Sequence, residues 1–234
     1  MKYEIILFDI DGTLLDFFRS EREALCDALA ELNINVSDAL IDDYSKINDS
    51  LWKLLERGEI ERETLKHRRF EILFEKYGIN SDPKALAKNY MEKLSQKAHL
   101  FDGAEELCRK THQMAKNYVV TNGTLSVQDS RLKKSGLLPH FDGVFVSEKI
   151  GYAKPDPKFF EIATATIQGF SKKKTVIIGD SLSSDIAGGI AYGIDTIWFN
   201  PEGKTAPSEI ADKITLIARN YSEIFEFICG GDDL

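Results

Sequence analysis

Short apolar runs, each too brief for a helix, recur along the chain and predict buried strands. The first covers residues 5–8 and ends at Asp9. Further predicted strands lie at residues 117–121, 144–146, 175–178, 196–199 and, as a last short one, 214–217. Between them, helical periodicity marks residues 103–114, 126–134, 157–167, 184–192 and 222–228. Strands that alternate with helices predict an α/β fold with a doubly wound, mostly parallel sheet.

One long segment interrupts this alternation. Residues 17–97 contain no strand-like run, and apolar residues recur there at helical spacing. Four helices are expected, at residues 19–32, 37–55, from 61 to Gly78, and from Pro83 to about 94. Ser37 and Asp82 are candidate N-caps. We therefore predict an α/β core domain of residues 1–16 and 98–234, with an all-helical domain of residues 17–97 inserted into it.

Polar side chains follow three of the predicted strands. Asp9 and Asp11 end the first strand, Thr121 and Asn122 end the next one along the core, and Asp180 follows the run at 175–178. Parallel sheets place ligands beyond the carboxyl ends of their strands. Because each unpaired buried carboxylate costs several kcal/mol, we expect these acids to face a bound cation.

The residue types indicate phosphoryl transfer. Asp9, Asp11, Asp180 and Asp185 offer the oxygen ligands that suit Mg²⁺, and no soft or imidazole-rich set lies near them. Thr121, Asn122 and Lys154 can contact phosphate oxygens. One carboxylate can act as nucleophile and form an aspartyl-phosphate. A second can protonate the leaving oxygen and later activate water.

Composition narrows the partners. The chain has 234 residues, and its net charge of −8 argues against a nucleic-acid surface. Its three cysteines fit neither a disulfide framework nor a zinc site, which favours a reducing compartment. Charged residues interrupt the first apolar run, so we expect no signal peptide, and no run is long enough to span a bilayer. We expect a cytoplasmic enzyme that acts on a small-molecule phosphate monoester; the pattern does not predict an oligomeric state.

Four motifs, in the same order along the chain, resemble those of the haloacid dehalogenase (HAD) superfamily. They are Asp9-x-Asp11-Gly12-Thr13, Thr121-Asn122-Gly123, Lys154-Pro155 and Gly179-Asp180-x4-Asp185. The resemblance implies a Rossmann-like core with a C1 helical cap, Asp9 as nucleophile and Asp11 as general acid/base. It also implies Mg²⁺ held by the Asp9 side chain, the Asp11 main-chain carbonyl and Asp180. Asp185 would bond a metal-bound water or Lys154, and Thr121 and Lys154 would bind the phosphoryl group.

The helical segment is similar to one branch of this superfamily, the YjjG/YfnB-like 5′-nucleotidases. The similarity lies in Ile47-Asn48-x-x-Leu51-Trp52 and in later apolar and basic positions up to Phe70. It implies a nucleoside 5′-monophosphate substrate, with a preference for pyrimidine and deoxy forms. Phe17, Asn48 and Trp52 are candidates for substrate contact.

Other functions stay open from the residues alone. Sugar phosphates or other small phosphorylated metabolites are alternative substrates, and a phosphomutase would keep the phosphate on its substrate. A dehalogenase releases halide, which needs no proton, so Asp11 argues against that reaction. A phosphonatase would need a cap lysine in a recognisable context, and Lys46, Lys53 and Lys66 have none. A non-catalytic binding protein on this scaffold would not need all four aspartates.

Overall fold

The structure, a computed structural model, describes residues 2–230. It divides the chain into two compact units: Met1–Asp16 with His99–Leu234, and Phe17–Ala98. The first unit is called the core unit here and the second the helical unit. The limits predicted from the sequence include residues 1 and 231–234, which lie outside the described part.

The helical unit consists of long helices joined by short turns. They are α1 (Phe17–Ala30), α2 (Asp38–Glu56), α3 (Arg62–Tyr77) and α4 (Pro83–Gln96). Ser37 caps α2 by accepting the Leu40 N–H at 3.2 Å, and Asp82 caps α4 in front of Pro83. Gly78 ends α3 at a φ of 63°, in the left-handed region that favours glycine. The sequence predicts α1 two residues later at each end; at its C-terminal end the predicted apolar pattern includes Leu32, which is exposed and lies beyond the helix.

The core unit carries a parallel sheet. Its strands are β1 (Ile5–Phe8), β2 (Lys116–Thr121), β3 (Gly143–Val146), β4 (Thr175–Gly179), β5 (Asp195–Phe199) and β6 (Leu216–Ala218). In the described part of the chain the sheet has six strands, all paired in parallel in the order β3-β2-β1-β4-β5-β6. The predicted α/β fold with a doubly wound parallel sheet is confirmed.

Helices cover both faces of the sheet, as the alternating side chains of β1 show. The core-unit helices are α5 (Ala104–His112), α6 (Leu125–Lys134), α7 (Ser147–Ile150), α8 (Pro157–Ala165), α9 (Ala187–Tyr192), α10 (Ser208–Ala211) and α11 (Tyr221–Cys229). Ile6 and Phe8 pack on one face among residues of α5 and α11, whereas Ile5 and Leu7 pack on the other among residues of α8. Helices of at most four residues, α7 and α10, had no signal in the periodicity.

One predicted helix begins differently from expectation. Residues 184–192 were expected to form a regular helix, but Leu182–Ile186 form a π-helical turn that leads into α9. Ser181 accepts the Ser184 N–H at 3.2 Å, and the Asp185 carboxylate accepts the Ser181 N–H at 3.1 Å. These local bonds compete with regular helix geometry and turn Asp185 back toward the end of β4.

Candidate active site

The predicted polar residues follow β1, β2 and β4 at one edge of the sheet. In the strand register Phe8 pairs with Val119 on one side and with Ile178 on the other. Asp9, Thr121 and Asp180 therefore come within two residues of paired positions, at the carboxyl ends of adjacent parallel strands. The fold brings these distant segments of sequence together.

Three carboxylates form the centre of this edge. Single oxygens of Asp9, Asp180 and Asp185 all lie within 4.8 Å of one another. The Thr13 hydroxyl lies 3.1 Å from Asp180 Oδ1 and 3.4 Å from Asp9 Oδ2, and it accepts the Asp180 N–H at 3.0 Å. We call Asp9, Asp180 and Asp185 the acidic cluster.

Lys154 neutralises part of this charge. Its Nζ lies 2.7 Å from Asp9 Oδ1 and 2.6 Å from Asp185 Oδ1, and it donates to the Val120 carbonyl at 2.7 Å. The Lys154 side chain is 1% exposed. Buried charges of this kind persist only when they are paired and hydrogen-bonded, and all three polar contacts of the ammonium meet that condition.

Asn122 fixes the main chain of Lys154. Its Nδ2 donates to the Lys154 carbonyl at 2.8 Å, and its Oδ1 accepts the Lys154 N–H at 2.9 Å. The side-chain amide thus joins the end of β2 to the loop that carries the lysine. The phosphate contact predicted for Asn122 stays a prediction, because its amide is engaged with Lys154.

Burial and mutual repulsion shift the acids of the cluster. Burial raises the pKa of Asp9 well above its ordinary value, against the opposing effect of Lys154. The Asp180 side chain is partly exposed, but the protein packed around its carboxylate and the nearby Asp185 charge raise its pKa to about 7. Burial lowers the pKa of Lys154, but Asp185 and Asp9 together outweigh it and hold this pKa above its usual value. The cluster thus sets three carboxyl groups against one ammonium in surroundings that disfavour negative charge.

Two glycines leave room for the carboxylates. A Cβ at Gly179 would lie 2.3 Å from Asp185 Cγ, and a Cβ at Gly12 would lie 2.4 Å from Asp180 Oδ2. Gly12 also has a φ of 85°, which disfavours other residues. The close approach of Asp180 and Asp185 thus depends on the absence of a side chain at both positions.

Asp11 is engaged elsewhere. Its Oδ1 accepts a hydrogen bond from Arg131 Nη1, and its Oδ2 accepts one from Gln128 Nε2 at 2.6 Å. The same Gln128 nitrogen donates to the Thr121 hydroxyl at 2.9 Å. Gln128 and Arg131 belong to α6, and both are fully buried. Their contacts give Asp11 an environment distinct from that of the acidic cluster.

The helical unit contains the three residues predicted to contact substrate. Asn48 is buried, donates to Glu21 Oε1 at 2.7 Å and accepts from Arg69 Nη1 at 2.9 Å. Trp52 is partly exposed and lies under the Arg62 guanidinium, 5.7 Å from the ring centroid. Phe17 is a partly exposed residue at the start of α1. The amide of Asn48 is thus part of a buried polar network, and the substrate contacts of all three residues stay predictions.

Sequence reasoning missed three residues that shape the site. The sequence marks Thr13 only as part of the first motif, and no motif contains Gln128 or Arg131. Gln128 and Arg131 follow and precede the buried apolar residues Val127 and Leu132 on one face of α6. An arginine on a buried helix face needs a carboxylate partner, so this pattern was a usable signal.

Known proteins are similar in sequence to most of this chain. Residues 3–193 match the family described as haloacid dehalogenase-like hydrolases. The chain is 43% identical over 202 residues to the pyrimidine 5′-nucleotidase PynA of Streptococcus pneumoniae, covering 86% of this chain and 85% of that protein. It is 30% identical over 229 residues to the pyrimidine 5′-nucleotidase YjjG of Escherichia coli, covering 98% and 99%.

A solved structure is similar over nearly the whole chain. The crystal structure of the HAD-hydrolase YfnB from Bacillus subtilis bound to magnesium has a TM-score of 0.92 and 37% sequence identity. The similarity covers 97% of this chain and 99% of that one. The resemblance inferred from four motifs is therefore confirmed. This chain belongs to the haloacid dehalogenase-like hydrolase family.

Proposed function

We propose that this protein is a Mg²⁺-dependent phosphomonoester hydrolase that works through an aspartyl-phosphate on Asp9. The observation that carries the proposal is the acidic cluster with Lys154 buried between Asp9 and Asp185. A nucleophilic carboxylate that approaches a phosphate dianion at about 4 Å meets about 4 kcal/mol of repulsion from each of the two phosphate charges at an effective dielectric near 20. Positive charge held at the same point, such as the Lys154 ammonium, attracts the phosphate and offsets this repulsion.

The donor set fits Mg²⁺. Asp9 and Asp180 supply oxygen ligands within one small volume, where three carboxyl groups face the single ammonium of Lys154. The main-chain carbonyl of Asp11 is the third proposed protein ligand. Asp185, paired with Lys154, would act through that lysine or through a metal-bound water. When bound, the ion supplies charge stabilisation to the phosphoryl oxygens.

The residues then divide the reaction between them. Asp9 attacks phosphorus and forms a new P–O bond, while the bond to the leaving oxygen breaks and Asp11 donates a proton to that oxygen. In the second half, Asp11 takes a proton from water as the water attacks the aspartyl-phosphate. Asp9 is released with inorganic phosphate. Thr121 and Lys154 bind the transferring phosphoryl oxygens, where charge develops.

The substrate we propose is a nucleoside 5′-monophosphate, with a preference for pyrimidine and deoxy forms. The 43% identity to PynA and the 30% identity to YjjG, both named pyrimidine 5′-nucleotidases, support this choice. Other small phosphate monoesters are the second candidate, because the roles proposed for the core-unit residues concern the phosphoryl group and the leaving oxygen, which all such esters share. Asp11, held in place by two donors, favours phosphate esters over haloacids, whose halide leaves without a proton.

The proposed setting is the cytoplasm. Three cysteines of the protein, Cys26, Cys108 and Cys229, are all free, which supports a reducing compartment. None of the helices in residues 2–230 is both long and apolar enough to cross a membrane.

The direct test measures phosphate release from a panel of esters with Mg²⁺ and with a chelator. The panel contains pyrimidine and purine 5′-monophosphates in ribo and deoxy forms, hexose phosphates and 4-nitrophenyl phosphate, with 2-chloropropionate as a dehalogenase probe. We expect Mg²⁺-dependent release, fastest from pyrimidine nucleotides. Release from hexose phosphates alone would move the assignment to the second candidate, and halide release without phosphatase activity would overturn it.

A further inference from the structure

The contacts of Asp11 separate it from the other site carboxylates. Oδ1 accepts from Arg131 Nη1 and Oδ2 accepts from Gln128 Nε2, so each oxygen has a donor from α6. Arg131 has no exposed surface, and Gln128 is 1% exposed. The Asp11 side chain itself is 24% exposed. It is therefore anchored from the protein side while part of it stays accessible.

The burial of Arg131 makes this anchor specific. Taking a guanidinium out of water costs several kcal/mol unless it is paired with good geometry, and its carboxylate partner here is Asp11. Bonds between arginine and a carboxylate are charge-assisted and directional, so they fix position better than a single neutral bond. Gln128 also donates to the Thr121 hydroxyl, so it joins Asp11 to a group for which we propose a phosphate contact.

We propose that Arg131 and Gln128 are positioning residues that hold the Asp11 carboxylate for proton transfer and keep it out of the acidic cluster. The inference rests on the proposed function, in which Asp11 is the general acid/base. This positioning explains how Asp9 and Asp11, two positions apart, can act as nucleophile and as general acid/base. A carboxylate that swung into the cluster to bind a cation could no longer deliver a proton to the leaving oxygen. Donors on α6 hold both of its oxygens instead.

The leaving group gives a readout that a purely structural role would not move. Alkoxides are strong bases and need a proton as they leave, whereas 4-nitrophenolate leaves without one. The ratio kcat/KM covers the steps up to phosphoryl transfer to Asp9, so it isolates the acid step. A misplaced Asp11 therefore lowers kcat/KM for an alkyl phosphate far more than for 4-nitrophenyl phosphate.

The main variant is Arg131→Met, compared with Lys133→Met as the control. Lys133 lies on the same helix but is exposed and paired with Asp129. General acid–base catalysis is worth about 10²–10⁴-fold. We expect Arg131→Met to lower kcat/KM for thymidine 5′-monophosphate by about 10–1,000-fold, and for 4-nitrophenyl phosphate by less than about threefold. Lys133→Met should change neither.

A second, milder variant keeps the test interpretable if Arg131→Met misfolds. Gln128→Met removes one Asp11 bond without leaving a buried charge, and it should show the same contrast between esters at smaller size. Its effect on Thr121 would scale both esters alike, so the ratio of the two still reports on Asp11. In an Asp11→Asn background, Arg131→Met should cause no further loss with the nucleotide.

The outcomes separate the two proposals. Equal losses with both esters in the folded variants, or no loss, would overturn the positioning role while the phosphatase assignment stands. Additive losses in the Asp11→Asn background would also overturn it. If the wild-type protein with Mg²⁺ releases phosphate from neither ester, the proposed function fails, and the positioning role fails with it.

Discussion

Replacing Lys154 by methionine removes the only side-chain cation that the described residues place between Asp9 and Asp185. Methionine keeps much of the apolar stem, so the change isolates the charge. At 2.7 Å and an effective dielectric near 20, each ion pair is worth about 6 kcal/mol of Coulomb energy before desolvation is counted. Desolvation of the ions offsets most of this sum, and removing one partner of a buried pair costs about 3–5 kcal/mol in practice.

The expected result is a lower melting temperature. For a chain of this size about 1 kcal/mol corresponds to about 2–4 °C, so Lys154→Met should melt about 6–20 °C below wild type. The assay is differential scanning calorimetry at pH 8 with a chelator, so that no added cation replaces the lysine. The matched control is Lys174→Met, whose half-exposed side chain pairs with Glu4 at 3.7 Å. That exposed pair is worth about 0–1 kcal/mol.

The loss of stability in Lys154→Met should depend on pH in a defined direction. The pKa of Lys154 is raised in the folded protein, so its stabilising effect is fully present below its unfolded pKa, at both pH 5 and pH 8. Without Lys154, the buried Asp9, whose pKa is already raised, binds a proton more readily than in the unfolded chain. The variant should therefore lose stability as pH rises, and the deficit should be larger at pH 8 than at pH 5. A Lys154→Met protein that melts within about 2 °C of wild type at pH 8 would refute this reasoning.

Three further predictions concern the acidic cluster and the buried polar network of the helical unit. Mg²⁺ affinity measured by calorimetry should be about tenfold weaker at pH 6 than at pH 8, because Asp180, with its pKa raised to about 7, must lose a proton to bind the ion; equal affinities would contradict the assignment. Gly179→Ala should cost about 1–3 kcal/mol and weaken Mg²⁺ binding, since its Cβ would overlap Asp185; an unchanged melting temperature and Mg²⁺ affinity would count against the close approach. Arg69→Met should destabilise the helical unit by about 3 kcal/mol, as measured by hydrogen exchange over residues 17–98. The control Arg68→Met, at an exposed position, should not destabilise it. Equal effects of the two variants would rule out the buried network.

The sheet and its polar edge could be predicted from sequence because both follow from local pattern. Short apolar runs that alternate with helical periodicity define a parallel sheet, and a parallel sheet aligns the carboxyl ends of its strands. Asp9, Thr121 and Asp180 were therefore expected at one edge, and they lie there at the carboxyl ends of neighbouring strands. The absence of strand-like runs likewise predicts an inserted helical segment at 17–97, and the compact helical unit of the structure is Phe17–Ala98.

Local sequence pattern does not predict the contacts of Lys154 and Asp11, although the family resemblance implied a bond from Asp185 to Lys154 as one alternative. Lys154 lies in a loop, and the burial of its side chain depends on ion pairs with Asp9 and Asp185, which come from two other segments. Arg131 is 120 positions from Asp11, and no local pattern specifies which carboxylate a buried arginine will meet. Sequence periodicity reports which face of an element is buried, but the pairing of polar groups inside depends on the tertiary fold.

Covalent trapping tests the central claim most directly. Wild-type protein is mixed with Mg²⁺ and a phosphate ester it hydrolyses, quenched in acid during turnover, and mapped by peptide mass spectrometry. The mechanism predicts one phosphoryl group on the peptide that contains Asp9, and none in Asp9→Asn, which should also release no phosphate. A phosphoryl group on another residue, or full activity of Asp9→Asn toward 4-nitrophenyl phosphate, would contradict it.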